Sequence, residues 1–410
     1  MEYNYFNPLS VTSQFSFCGL PFRLDTYAGC AFGCSYCFAR IRGGNINSKK
    51  LKIADPNLII TKFKNALREN SAHNGILTEY IRNKMPVHFG GMSDPFQSIE
   101  KEYKSSLKVL KYLASINYPV VISTKSVLLE KEPYLSVLKS FTNVVVQFSF
   151  STLKEDISKI IEPNVAKPTE LMKTVEILSS NGIKTAIRWQ PYIPFLSESP
   201  KEFISKVSNL GAFHLGFEHL KFPLENNNSL NSKIQKLTDV NLLEYYRDNK
   251  SNYDGRELVL PFDIKLKMIN QVKEEANKYS MTFGAADNEF QFLSDTNCCC
   301  SGVDQIEGFE NWNKYQIGYA VKKTTNNNNC QILFSSIEDE WKPTGAIDKH
   351  MNSKSRLTKT ENHNTVERYI KDRWQNLDSS FNPTKFFGVT FNGKLDENGM
   401  KIYNWASGNE

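Results

Sequence analysis

No stretch of this 410-residue chain is apolar for long enough to cross a membrane. The longest runs are of the size of Val144-Val145-Val146, against the roughly 20 residues that a membrane helix requires. The N-terminus, Met-Glu-Tyr-Asn-Tyr-Phe, has neither the basic n-region nor the apolar h-region of a secretory signal. Both absences lead to the expectation of a cytoplasmic protein with no membrane contact. No internal repeat is present beyond an alternation of strand-like and helix-like segments. The asparagine tracts, such as Asn326-Asn-Asn-Asn329, are too short to form a low-complexity region. Charge is not strongly one-sided: a net +6 permits a polyanionic partner without requiring one. Histidine is scarce, with six residues, and the one nearest the first cysteines is His73.

What the chain does have is a tight group of cysteines. Cys30, Cys34 and Cys37 form Cys-x3-Cys-x2-Cys within Asp25-Thr-Tyr-Ala-Gly-Cys-Ala-Phe-Gly-Cys-Ser-Tyr-Cys-Phe-Ala-Arg40. The spacing is wrong for a disulfide framework. Zinc would want a fourth Cys or His close by. Three soft ligands without a fourth suit an iron–sulfur cubane with one iron left open to something other than protein.

Around this group the pattern is α/β. The first strand reads Phe22-Arg-Leu-Asp-Thr-Tyr27 and leads into the cysteines. A helical stretch is predicted from Pro56 to Asn83, with Asp55 as N-cap and Pro56 at the first helical position. Strand-like Pro86–Gly91 is followed by a helix over 99–116. Pro119–Thr124 precedes a helix near Tyr134–Ser140. Asn143-Val-Val-Val-Gln-Phe-Ser-Phe150 has the β-former run of a buried parallel strand. Pro168–Asn181 is helical and ends at Gly182. Ile183–Trp189 and His214–Phe222 complete six strands, and Met281–Ala285 is a candidate for a further one. Six strand–helix repeats predict an α/β fold: a partial parallel (β/α)6 TIM-like barrel over 23–290. It is flanked by an N-terminal extension, 1–22, and a C-terminal domain or extension, 291–410. Reactive groups in such barrels sit at the C-terminal ends of the strands, where the cysteine loop falls.

The cysteine motif, with Tyr36 before its last member, resembles the signature of the radical S-adenosylmethionine superfamily. Further stretches occur in order: Gly90-Gly-Met-Ser-Asp-Pro-Phe-Gln-Ser-Ile-Glu100, Ser123-Thr-Lys-Ser126, Ile161-Glu-Pro163 with Pro168, and Arg188-Trp-Gln-Pro-Tyr-Ile-Pro194. Together they resemble the spore photoproduct lyase-like branch over residues 23–222. The resemblance implies a [4Fe–4S] cluster on Cys30, Cys34 and Cys37. It implies S-adenosylmethionine chelating the fourth iron, and reductive cleavage to a 5′-deoxyadenosyl radical that abstracts hydrogen from a substrate. It also implies an external electron donor such as flavodoxin or ferredoxin. Tyr36, Gly90, Gly91, Asp94, Lys125, Ser149, Ser151 and Arg188 are the candidate cofactor contacts. Gly90-Gly91 would let backbone approach the methionine amino group, and Asp94 would pair with that ammonium, although Ser-Asp-Pro is also ordinary turn chemistry. Lys125 would hold the cofactor carboxylate, or is simply solvated. Ser149 and Ser151 share a strand face, as do Arg188 and Gln190. An arginine inside a barrel needs a ligand or a buried carboxylate. Glu218 and His219 are candidate substrate-side groups, and His214 reads as a satisfied core histidine.

The C-terminal third is less legible. Cys298-Cys299-Cys300, with Cys330 or Cys18, carries three open readings: a second iron–sulfur cluster, a catalytic redox or hydrogen-donor thiol, or a buried inert trio. Between Lys342 and Trp374 eight cations stand against four carboxylates, interleaved with Trp341, Tyr369 and Trp374. That pattern suits a single-stranded nucleic acid grip, or a helix over 365–375 with one solvated face. The candidate activities are therefore radical chemistry on nucleic acid, of lyase or repair type, and modification of a peptide or small metabolite with an auxiliary cluster. A cluster-bearing binding module is the non-enzymatic alternative.

Overall fold

The computed structural model describes residues 3–12, 20–39, 51–69, 75–224, 227–254, 256–298, 300–312, 317–325, 331–340, 346, 349–350, 365–378, 382–385 and 389–405. Its centre is one sheet of eight strands in spatial order: β1 (Leu9–Val11), β2 (Phe22–Leu24), β3 (Val87–Phe89), β4 (Val120–Thr124), β5 (Val144–Phe150), β6 (Lys184–Tyr192), β7 (His214–His219) and β8 (Thr282–Ala285). Strands β2 to β8 pair in parallel, in the order of the sequence. β1 lies antiparallel on β2, so residues of the expected N-terminal extension join the sheet edge. The fold is thus the expected α/β partial barrel, with β8 as a seventh parallel strand.

Local chemistry explains several helix boundaries. Asp55 caps the helix Pro56–Leu67 by accepting from the Asn57 backbone N–H at 2.9 Å, and Pro56 opens it. The single helix expected up to Asn83 is two: a separate helix spans Ile76–Arg82. The helix expected over 99–116 also divides. Lys104 adopts φ +51°, and the Glu100 carboxylate accepts the N–H groups of Ser106 (3.0 Å) and Leu107 (2.8 Å). A carboxylate at the orphan N–H groups starts the second helix, Ser105–Ser115. Pro168–Ser180 ends before Gly182, whose φ is +80°, as expected.

Alternation along the strands separates two faces. The outward side chains, among them Phe22, Val87, Ile122, Phe148, Ile187 and Phe217, are fully buried with the flanking helices in the main core. The inward residues change character along the barrel axis. At the floor, Val121, Val145 and Ala186 meet Leu20, Cys298, Val303, Phe309 and Trp312. Residues from the start of the expected C-terminal unit therefore close the bottom of the barrel. One layer higher the interior is polar, with Arg23, His88, Ser123, Gln147 and Arg188 in neighbouring register and Gly216 opposite Arg188.

Toward the C-terminus, Gln331–Ile332, Lys401–Trp405 and Val389–Leu395 form a small antiparallel sheet. Ile332, Trp374 and Tyr403 belong to the same apolar core as the barrel. The helix Val366–Gln375 is capped by the Thr365 side chain, which accepts from Arg368 N–H. Tyr369 is 2% and Trp374 1% exposed, so neither is available to stack on a nucleic acid base. That takes two of the three aromatics out of the expected grip. Trp341 and residues 351–364 lie outside the described residues.

Candidate active site

The cysteine loop leaves β2 at the C-terminal rim and is tied down by groups distant in sequence. The Gln97 side chain accepts from Ala31 N–H at 2.8 Å and donates to the Gly29 carbonyl at 3.0 Å, bracketing Cys30. Asn164 Nδ2 donates to the Ala31 carbonyl at 2.8 Å, and Ser35 N–H donates to the Ile161 carbonyl at 2.8 Å. Lys233 Nζ reaches Ser35 Oγ at 2.7 Å. Cys37 N–H donates to the Cys34 carbonyl at 3.3 Å. All three thiols are half-buried. Burial, then the charge of Asp94, pushes the Cys30 thiol up to about 12, and burial, then Glu162, raises Cys34 further. Thiolates in such a setting need a cationic partner such as iron. Among the described residues no three Cys, His, Asp or Glu side chains close around a single ion.

Glu162, 3% exposed, is the hub beside the loop. Its Oε1 accepts from Lys125 Nζ at 2.9 Å, from Ser151 Oγ at 2.8 Å and from the Tyr36 hydroxyl. Lys125 Nζ also donates to the Ser149 carbonyl at 2.8 Å and lies 5.9 Å from the Tyr36 ring centre. Four of the expected cofactor contacts, Tyr36, Lys125, Ser149 and Ser151, thus come together. They do so around a carboxylate not singled out from the sequence, although it lies within the Ile161-Glu-Pro163 stretch. Lys125 is not the solvated lysine of the alternative reading.

The glycine turn after β3 is equally constrained. Gly90 has φ +94°, and a Cβ there would stand 2.6 Å from the Ser123 carbonyl. A Cβ on Gly91 would stand 2.8 Å from Arg23 Cδ. Asp25 accepts from Met92 N–H at 2.8 Å and Ser93 N–H at 3.2 Å, holding the turn's amides. No motif marks Asp25; only its place between strand and cysteines hints at a role. Burial raises its pKa to about 6 despite those bonds and Arg23. Asp94 is raised to about 6 in the same way, by burial. Its oxygens accept from Thr124 Oγ1 (3.0 and 2.9 Å), Phe96 N–H (2.8 Å) and Lys125 N–H (2.7 Å), so it knots the turn to the end of β4.

Deeper in the barrel, His88 Nε2 lies 2.7 Å from Ser123 Oγ, and Ser123 donates to Gln147 Oε1 at 3.0 Å. Gln147 Nε2 donates to the Cys300 carbonyl at 3.0 Å. Arg188 sits on this layer and bonds neutral groups, Ser123 Oγ at 3.3 Å and Gln190 Oε1, while Gln190 in turn donates to Glu218. Glu218 faces the interior. His219 does not: it points into the helix layer, with Nδ1 2.7 Å from Asp287. Strand alternation puts successive residues on opposite faces, which excludes pairing the two. Burial alone would raise Asp287, but His219 and Lys265 hold it below the usual carboxylate range. His214 is fully buried, with Nδ1 3.0 Å from Thr282 Oγ1.

Of the second cysteine run, Cys298 is 4% exposed in the apolar floor. Its thiol is raised well above the ordinary value by the hydrogen bond with Cys300 and by burial. Cys18, Cys299 and Cys330 lie outside the described residues.

Residues 24–205 match the family model of the radical SAM superfamily. This region is a radical SAM domain. Similar proteins include an uncharacterised protein of Methanocaldococcus jannaschii, 26% identical over 181 residues, which are 43% of this chain and 62% of that one. An uncharacterised Mycobacterium tuberculosis protein is 23% identical over 197 residues, covering 47% of this chain and 56% of its own. The chain thus spans less than two thirds of either relative. Among solved structures, a spore photoproduct lyase mutant aligns at 14% identity and TM-score 0.49, covering 68% of this chain and 77% of that one. Streptococcus suis SuiB bound to precursor peptide SuiA aligns at 14% and TM-score 0.35, covering 69% and 62%. Among the described residues no helix is long and apolar enough to cross a membrane.

Proposed function

We propose that this chain is an enzyme that uses a [4Fe–4S] cluster and S-adenosylmethionine at the rim of the barrel to act on a substrate held in the interior. The observation that carries the reading is the three-cysteine loop, docked by Gln97 and Asn164 beside the Glu162–Lys125 pair on the C-terminal face. Bound there, the two groups supply one-electron cleavage and hydrogen-atom abstraction. Cys30, Cys34 and Cys37 hold the irons. Asp25 keeps the Met92 and Ser93 amides oriented, and Gly90 and Gly91 let the turn pack against the Ser123 carbonyl and the Arg23 side chain at the rim. Glu162 fixes Lys125 in one rotamer, so that its ammonium is pre-positioned for the cofactor carboxylate at no ordering cost on binding. Tyr36, Ser149 and Ser151 line the same wall. Asp94 serves by position, joining the turn to β4, and the floor built from Leu20, Cys298, Val303, Phe309 and Trp312 excludes water from below. An external one-electron donor of flavodoxin or ferredoxin type completes the cycle.

The test is anaerobic reconstitution with iron and sulfide, followed by reduction in the presence of S-adenosylmethionine. Formation of 5′-deoxyadenosine and methionine is expected, and its loss in Cys34→Ala assigns the site. A chain that binds a cluster but never cleaves the cofactor is the binding module instead. The buried Tyr369 and Trp374 favour a substrate small enough to enter the barrel over an extended nucleic acid strand laid on the C-terminal helix.

A further inference from the structure

Barrel interiors of this kind are ordinarily filled by branched apolar side chains. Here the layer above the floor is polar, and its charges do not balance. Arg23 has its own counterion, Asp25, at 3.4 Å. Burial, then the charge of Arg188, pushes the His88 pKa down to about 4, so this imidazole is neutral. Among the described residues no carboxylate stands within ion-pair distance of Arg188. Its Nη1 and Nη2 bond Ser123 and Gln190, both neutral, and its buried Nε has no hydrogen-bond partner. Glu218 is one side chain removed, behind Gln190, and stands 3.8 Å from Lys221. A guanidinium held this way is costly unless an anion arrives. The approach is from the rim, because the floor is closed. The Cys300 carbonyl would stand 3.1 Å from a Cβ on Gly216, the residue opposite Arg188.

We infer that Arg188 is the receptor for an anionic group of the substrate, a carboxylate or a phosphate, which docks on the Ser123–Gln190 side of the polar layer beneath the cofactor. The inference rests on the cofactor reading only in placing the reacting atoms above this layer. Arg188 thereby belongs to substrate specificity rather than to the S-adenosylmethionine site. Gln190, which links it to Glu218, sets the distance between the anion and the carboxylate.

The test is thermal unfolding of reconstituted holoprotein with inorganic phosphate or succinate, each against chloride at equal ionic strength. One of the two anions is expected to raise the midpoint by about 2 °C at about ten times its dissociation constant. Arg188→Gln is expected to abolish the rise, and Arg188→Lys, which keeps the charge but loses the fork, to retain part of it. A rise with phosphate alone identifies a phosphate ester, and a rise with succinate alone a carboxylate. No rise with either, or a rise that survives in Arg188→Gln, overturns the inference. So does loss of the response to S-adenosylmethionine in Arg188→Gln, which would return the residue to the cofactor. Absence of cluster absorption in wild-type protein counts against the cofactor reading, while the anion response is read independently of it.

Discussion

The two cysteine-bearing segments occupy opposite ends of one barrel, and the same residue type meets a different environment at each. Cys30, Cys34 and Cys37 lie half-buried on a rim loop, their backbone pinned by Gln97, Asn164 and Ile161. Cys298 lies in the apolar floor, and Cys300 contributes its carbonyl to Gln147. Ligation needs thiols that are accessible to metal and held at spaced positions on a fixed loop. The floor provides burial and close packing instead, which favour the neutral thiol. Where the backbone places each thiol decides its chemistry.

The sharpest way to break that contrast is substitution at each end. Cys34→Ala should lose cluster absorption and S-adenosylmethionine cleavage completely. Cys298→Ala should keep about four irons per chain, the content of one cubane, with only a stability loss. Iron analysis decides between them, and a drop from about eight to about four irons in Cys298→Ala would instead place a second cluster at the floor. Next in size is Glu162→Ala. It strands Lys125 in a buried site and unties Tyr36 and Ser151, so urea unfolding should show a loss of about 3–5 kcal/mol. Glu162→Gln, which keeps the shape and acceptor, should lose less. Gly90→Ala follows. Its Cβ meets the Ser123 carbonyl at a left-handed φ, and the expected destabilisation is about 1–3 kcal/mol, with weaker S-adenosylmethionine binding by calorimetry.

The last test concerns the neutral interior layer. His88 has its pKa depressed to about 4 by burial and by Arg188. Below the unfolded-state value of about 6.5 the unfolded chain takes a proton that the folded chain refuses. Stability from this group is therefore full above about pH 6.5 and falls as pH drops toward 4, on the order of 1 kcal/mol per pH unit. His88→Gln should flatten that part of the pH profile. An unchanged profile would mean that His88 charges freely within the barrel.

Much of this was legible because it is local. The Cys-x3-Cys-x2-Cys spacing, the glycine pair ending a strand, the Asp55-Pro56 helix start and the β-former run of β5 each depend on residues a few positions apart. The division of the helix near Lys104 was not, because the Glu100 carboxylate that caps the next helix also answers to Tyr27 and Tyr134 across the core. His219 was misplaced for a related reason: proximity to Glu218 in sequence puts it on the opposite face of the strand, against Asp287.

By itself the sequence determined the spacing of Cys30, Cys34 and Cys37, the loop that carries them and the kind of barrel at whose rim that loop falls. Short-range spacing is enough for that, because metal ligation and strand–turn geometry act over a few residues. Only the tertiary structure decided what surrounds it. The Tyr36–Glu162 bond joins residues 126 positions apart, and the Gln147–Cys300 bond joins residues 153 apart. Such pairs create the fixed ammonium of Lys125, the closed floor and the setting of Arg188 among neutral hydrogen-bond partners. Burial and charge balance are properties of groups brought together from distant strands, so they exist only once the barrel has formed.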